Sequence, residues 1–191
     1  MTYFRFYRLG GKRLFDLVLA GFGLLLFALP MGLIAWKIRQ ESNLSAFFLQ
    51  PRIGLTGREF IILKFRTMSE DKRITPFCHL LRKTAMDELP QLLNILKGDM
   101  SFVGPRPIIP EEMQDLDKIL DGKRRLSVRS GLTGLAQLNS DKTPTLAERI
   151  KWDCLYVDRC SLFLDIRIIL ISVWVTFTAR WEAVGKKQEI S

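Results

Sequence analysis

Residues 17–36 carry no charged side chain. About twenty uncharged, largely apolar residues is the length at which a helix crosses the hydrocarbon core of a bilayer. Lipid offers the backbone no hydrogen bonds, so such a segment must be helical. Two features argue against a plain crossing. Pro30 sits inside the stretch among Gly21, Gly23 and Gly32, which invites a kink. Both flanks are basic as well: Arg5, Arg8, Lys12 and Arg13 before, Lys37 and Arg39 after. Basic residues are retained on the cytoplasmic side, so the segment is expected to enter, bend and return. An ordinary spanning anchor stays open as the alternative. A cleaved signal peptide is disfavoured, because no A-x-A-like site follows and the apolar run is too long. Tyr3, Phe4, Phe6 and Tyr7 interleave with the leading cations, a pattern that suits a membrane–water interface. Arg13 and Asp16 are placed to pair at the mouth of the segment.

The remainder is long enough for one domain with its own core. A net charge of +9 beside 48% hydrophobic residues calls for an anionic partner: nucleic acid, an acidic lipid surface or a phosphorylated substrate. Cys78, Cys154 and Cys160 are scattered without a CxxC, and His79 is the single histidine. That disfavours zinc, and the odd number of thiols suits a reducing compartment. His79, beside Cys78, is read as a packing residue.

Chemistry concentrates in residues 81–107, LRKTAMDELPQLLNILKGDMSFVGPRP. Asp87 is read as a helix N-cap and Glu88 as a first-turn carboxylate, where the helix dipole favours negative charge. Pro90 would fall where the amide has no helical partner. The helix would run through Leu92, Leu93, Ile95 and Leu96, and stop at Lys97-Gly98. Arg82, Lys83 and Arg106 bracket the acids, Arg106 being fixed between two prolines. The group offers a nucleophilic carboxylate, an oxygen ligand for a hard cation, and guanidinium forks for phosphate. A capped helix with solvated charges is the bland alternative.

Around this centre, residues 50–54 and 56–57 read as turns, and 60–65 as a strand carrying Lys64 and Arg66 on one face with Phe65 on the other. Residues 69–76 read as a loop. Residues 108–126 read as an acidic helix with a basic end, and 143–156 as another. Gly131 and Gly134 mark a tight turn that either approaches a phosphate or packs on the core. Residues 161–179 are apolar but interrupted by Asp165 and Arg167, which suits a helix lying on the bilayer surface. The fold class expected is α+β and helix-dominated, with a re-entrant membrane helix (1–40), a catalytic domain (41–185) containing a short β-hairpin and interfacial amphipathic helices, and a mobile tail (186–191).

Lys64-Phe-Arg-Thr-Met68, the 81–107 run, Ser130-Gly-Leu-Thr-Gly-Leu-Ala-Gln137 and the Asp153/Tyr156-Val157 segment together resemble the bacterial sugar transferase family, the small monotopic phosphoglycosyl transferases. The resemblance implies transfer of a sugar-1-phosphate from a UDP-sugar to polyprenyl (undecaprenyl) phosphate, with release of UMP through a covalent aspartyl intermediate. It implies Asp87 as nucleophile and Mg2+ ligand, Glu88 as its catalytic partner, and Lys64, Arg66, Arg82, Arg106, Gln137 and Asp165 as substrate-binding residues. It also implies the cytoplasmic face of the bacterial inner membrane, contact with anionic lipids, no nucleic acid, and leaves oligomerisation open. Three departures stand out: Leu29-Pro30 where the family bends at Ser-Pro, Arg129-Ser130-Gly131 for Arg-Pro-Gly, and Asp141-Lys142 where relatives carry an arginine. The competing function is a membrane-anchored basic module that binds lipid or nucleic acid without chemistry. Here the aromatics gather in the membrane-like segments while cations surround an acidic pair, which favours phosphate chemistry.

Overall fold

The computed structural model describes residues 7–42, 44–68, 74–140 and 144–178. The expectations for most of the 69–76 loop, for Asp141-Lys142 and for the 186–191 tail fall outside these residues.

After a π-helical turn (Tyr7–Gly11), α1 (Lys12–Ser42) runs unbroken through Pro30. At 1.5 Å per residue it is about 46 Å long. Leu14, Val18, Phe22, Leu25, Leu29, Leu33 and Trp36 recur every three or four residues and are all exposed. The opposite side is lodged on the rest of the protein along its whole length. Ala20 and Leu24 pack with Leu92 and Ile95, and beyond the proline Ile34 and Ile38 pack with Phe65 and Leu81. Arg13 and Asp16 do not pair with each other as expected. The Arg13 guanidinium donates to the Ile95 and Leu96 carbonyls at 2.5 and 2.7 Å, closing the end of the helix that Gly98 terminates. Buried Asp16 accepts from the Ser101 hydroxyl and the Phe102 amide, both at 3.0 Å.

Residues 50–53, expected as a turn, are strand. β1 (Phe47–Ile53) pairs antiparallel with β2 (Glu59–Phe65), Phe48 opposite Lys64 and Gln50 opposite Ile62. Pro51 is tolerated because a two-stranded ribbon has only edge strands. Then come α2 (Pro76–Lys83), capped by the Thr75 side chain, a 3-10 turn (Met86–Glu88), and α3 (Gln91–Lys97). The expected continuous helix from Asp87 does not form. Ala85 is left-handed (φ 54°), and Pro90 has no amide to give an α-type bond, so the chain makes the tighter i to i+3 bonds Glu88 to Ala85 and Leu89 to Met86 instead.

β3 (Met100–Val103) pairs parallel with β4 (Ser130–Thr133), a pairing that sequence reading did not anticipate. The helix expected over 108–126 is broken into a 3-10 turn (Pro110–Glu112), the single-turn α4 (Met113–Leu116), and a second 3-10 stretch (Gly122–Ser127). The α-helical path ends at Leu116, left-handed Asp121 opens the second 3-10 stretch, and Gly122 is pressed on the Leu116 carbonyl, where a Cβ would lie 2.2 Å from oxygen. The chain closes with α5 (Leu135–Asn139), α6 (Leu146–Arg159) with a Thr145/Glu148 capping box, and α7 (Leu162–Phe177). α7 divides as an interfacial helix should: Phe163, Ile166, Leu170, Val173 and Trp174 outward, Asp165, Ile168, Ser172 and Val175 inward.

The glycine alternatives resolve toward packing. A Cβ on Gly131 would meet the Gly104 nitrogen at 2.1 Å, and one on Gly134 the Gly104 oxygen at 2.2 Å. This backbone-on-backbone contact seats the Pro105-Arg106-Pro107 segment, whose Pro105 carbonyl accepts from the Gly131 amide at 2.9 Å. Helix-dominated α+β with a short hairpin is the architecture observed.

Candidate active site

The Met86–Glu88 turn projects its two carboxylates into a cleft of about 1230 Å³. Left-handed Ala85 and the proline brake at 90 are what hold the acids on a short, half-buried turn instead of a helix wall. Asp87 and Glu88 both line the cleft, and their carboxylates differ in partners. Glu88 takes an ion pair from Lys64 on β2 at 2.5 Å. Asp87 has its carboxyl raised above the usual range, first by burial and then by the neighbouring Glu88 charge, with Lys64 and Arg82 pulling the other way. Two adjacent acids thus sit in different electrostatic states, one neutralised by a lysine and one not.

The cations expected from the sequence converge here. Arg82 reaches the cleft from α2, its Nε donating to the Thr67 hydroxyl at 2.7 Å. Arg66 lines the wall while donating to the Ser45 carbonyl at 2.9 Å, and Phe65 beside it is buried in the core cluster where that core borders the cleft. Arg106 enters from the double-proline segment, exposed and free to meet an anion. Gln137 lines the cleft from α5, its amide nitrogen fixed on the Leu132 carbonyl at 3.0 Å.

Asp165 is a correction. It lies outside the cleft, fully buried, accepting from Tyr7 at 2.7 Å and Lys12 at 2.5 Å, with the Tyr156 hydroxyl at 2.8 Å. Its position early in an amphipathic helix turns it inward, under α1, where it joins the two helices whose outward faces are apolar. Sequence reading also left residues without a site role, two of them inside the motifs it quoted. Thr67, within the Lys64–Met68 run, steadies Arg82. Arg125 and Asp153 form a buried pair whose arginine also donates to the Arg106 carbonyl at 2.6 Å. The signal for them was present: a basic cluster at 123–125 and an aspartate in an otherwise apolar helix face. Burial lifts the Asp153 carboxyl to about 6 despite Arg125 and Arg149.

A second property of the cleft is its wall. Phe27 of α1, Leu92, Phe102 and Leu132 continue to Ile169, Val173 and Thr176 of α7. An ionic floor is therefore reached along an apolar flank, and that flank merges with the outward faces of α1 and α7.

A cation-lined carboxylate site with an apolar flank suits a phosphotransferase. Residues 7–179 match the family described as bacterial sugar transferase. A sugar transferase of Bacillus subtilis, EpsL, is 38% identical over 173 residues, spanning 85% of each chain. The exopolysaccharide production protein ExoY of Rhizobium meliloti is 36% identical, over 85% of this chain and 83% of its own. The UDP-glucose:undecaprenyl-phosphate glucose-1-phosphate transferase of Xanthomonas campestris is 39% identical over 84% of this chain, but this chain spans only 37% of that longer protein. The chain belongs to the bacterial sugar transferase family.

Proposed function

We propose that this enzyme moves a hexose-1-phosphate from a uridine diphosphate sugar to undecaprenyl phosphate, by way of a phosphosugar carried on Asp87. The observation that carries the reading is Asp87 itself: a carboxylate held on a turn, ringed by Lys64, Arg82 and Arg106, in a cleft with an apolar flank. Relatives named for UDP-glucose and undecaprenyl phosphate support the substrates. An Asp87 carboxylate oxygen attacks the sugar-proximal phosphorus. The bond from that phosphorus to the bridging oxygen breaks, and UMP leaves with the electron pair. A phosphate oxygen of the lipid then attacks the same phosphorus, and the Asp87 carboxylate departs, leaving the lipid diphosphate sugar. Arg82 and Arg106 offset the charge that otherwise repels carboxylate from diphosphate. Glu88, held by Lys64, orients the incoming lipid phosphate. Splitting transfer this way requires ping-pong kinetics. Incubation with UDP-sugar alone should add one hexose phosphate to the intact mass. Absence of an adduct together with intersecting initial-rate plots would replace the covalent route by direct transfer, and absence of UMP release from any nucleotide sugar would leave a non-catalytic binding module.

Magnesium suits the donor set. Among the described residues no three His, Cys, Asp or Glu side chains gather, so an all-protein cage is absent. Mg2+ commonly takes one or two carboxylates and completes its shell with phosphate oxygens and water. Asp87 would hold it, and the ion would supply charge neutralisation on the diphosphate. Full activity in EDTA would remove the metal from the scheme.

The membrane reading is the bacterial inner membrane with the active site on its cytoplasmic face, the bilayer being entered and left on that one face by α1. Both halves of α1, before and after Pro30, pack on the same body, whereas a crossing helix would carry one half away from it. The exposed apolar faces of α1 and α7 give the lipid contact, and exposed Lys37 and Arg39 give the attraction to anionic headgroups. In a cysteine-free background, single cysteines at Gly10 and Gln40 should label from the cytoplasmic side alike. Labelling from opposite sides would establish a span.

A further inference from the structure

Arg106 is the one exposed residue in a run, 103–108, that is otherwise buried. Pro105 and Pro107 have no amide hydrogen, so the stretch is anchored chiefly through its carbonyls. Four in succession are taken. The Pro105 carbonyl accepts from the Gly131 amide of β4 and the Ile108 carbonyl from the Ile53 amide of β1, both at 2.9 Å. Between them the donors are side chains. Arg125 Nη2 donates to the Arg106 carbonyl at 2.6 Å, and Arg52 Nη1 donates to the Pro107 carbonyl at 3.2 Å.

Neither of these arginines is a solvated surface charge. Arg125 is 2% exposed, and its guanidinium lies 2.9 Å from the Asp153 carboxylate of α6. Arg52 is half-buried, and its Nη2 donates to the Gln50 side-chain oxygen at 2.7 Å. Burial, and after it the Arg106 charge, lowers the Arg52 guanidinium from its ordinary range. Arg52 and Arg106 are thus held within reach of each other's charge, a cost that an anion seated on Arg106 relieves. The prolines fix φ at 105 and 107 and keep Arg106 extended. Those restraints are local and do not aim the segment at the Met86–Glu88 turn. The carbonyl partners, drawn from β1, β4 and the Gly122–Ser127 stretch, do.

We propose that Arg52 and Arg125 are positioning residues, which clamp the Arg106 segment through consecutive carbonyls and so set the guanidinium that faces the diphosphate before substrate arrives. The proposal rests on the reading above that Arg106 meets the diphosphate. Arg52 and Arg125 act through the backbone of Arg106 and not on the phosphates. A charged donor on a buried carbonyl is a strong restraint, and a group fixed in advance loses less freedom on binding. Loss of the clamp should therefore be felt only while the Arg106 side chain is present.

The test is a double-mutant cycle on UDP affinity, measured on the full-length, detergent-solubilised protein, with adduct formation on Asp87 followed separately by intact mass. Arg106→Ala should weaken UDP by about tenfold or more, the range for losing a charge-assisted hydrogen bond. Arg52→Met should weaken it by about three- to tenfold, and so should Arg125→Met combined with Asp153→Leu, a pair that strands no buried carboxylate. In the Arg106→Ala background the same changes should cost less than about twofold, the non-additivity of groups that act as one. Arg125→Lys, which keeps the charge beside Asp153 but loses the fork, repeats the cycle if the apolar pair does not fold. Equal losses in both backgrounds would overturn the clamp, since a merely structural role does not depend on the Arg106 side chain. An Arg106→Ala variant that binds UDP as wild type does would overturn it too. Additive losses with a normal adduct would leave the transfer reading intact, whereas coupled losses with no adduct from any nucleotide sugar would sink the covalent route and keep the clamp.

Discussion

Replacing Asp87 by Asn is expected to abolish turnover and the covalent adduct together, with a loss of at least about a thousandfold in rate, because an amide cannot serve as the nucleophile. The same change should leave the fold intact. An acid whose carboxyl is raised in the native state costs stability when ionised: that cost is absent below its unfolded pKa and is incurred as pH rises through the native value. At neutral pH, removing the charge therefore should not lower Tm. Separating rate from stability in this way excludes the trivial explanation of a misfolded variant. The raised carboxyl also fixes the acid limb of kcat/KM, which should fall off at higher pH than for an ordinary aspartate of about 3.9. Glu88→Gln removes the neighbouring charge that helps raise it and releases Lys64, so the limb should move to lower pH while some adduct still forms. A limb that moves upward in Glu88→Gln would mean that a group other than Asp87 controls it.

How much of this was readable before the fold depended on the range of the interaction involved. Lys64, Arg82, Asp87, Glu88 and Arg106 lie within 43 residues of one another in sequence, and local rules brought them to attention: turn residues, a proline bracket, a strand face. Strand periodicity turned Phe65 toward the core, as observed, although Phe65 also borders the cleft beside Lys64 and Arg66. The helix start at Asp87 was misread because capping preference was weighed without left-handed Ala85 upstream, a conformation that nothing in an alanine announces. The parallel β3–β4 pair joins segments about 30 residues apart and hangs on a glycine-to-glycine contact, so no local period reveals it. Asp165 shows the limit most clearly. Its partners Tyr7 and Lys12 are 158 and 153 residues away, so neither the resemblance that implied a substrate role nor the helix pattern could show its burial.

That burial gives the second large effect. Asp165 is fully enclosed, and Lys12 is nearly so, with the Tyr7 and Tyr156 hydroxyls completing the shell. Taking two charges out of water gains little on its own, but removing one partner strands the other in a low-dielectric interior. Asp165→Ala should therefore cost about 3–5 kcal/mol. For a protein of this size that corresponds to a fall in Tm of roughly 6–20 °C. Lys12→Met combined with Asp165→Leu should recover much of the loss, since the pair is then replaced by apolar volume and no charge is stranded. The network joins the start of α1 to the start of α7, the two helices whose outward faces are apolar, so its loss should loosen both from the body at once. Limited proteolysis of the single variant should then cut near the α6–α7 junction, where the double variant resists. If instead Asp165→Ala keeps the wild-type Tm but raises KM for the nucleotide sugar, the side chain contacts substrate, as the family resemblance implied, and the buried network is not what holds the helices together.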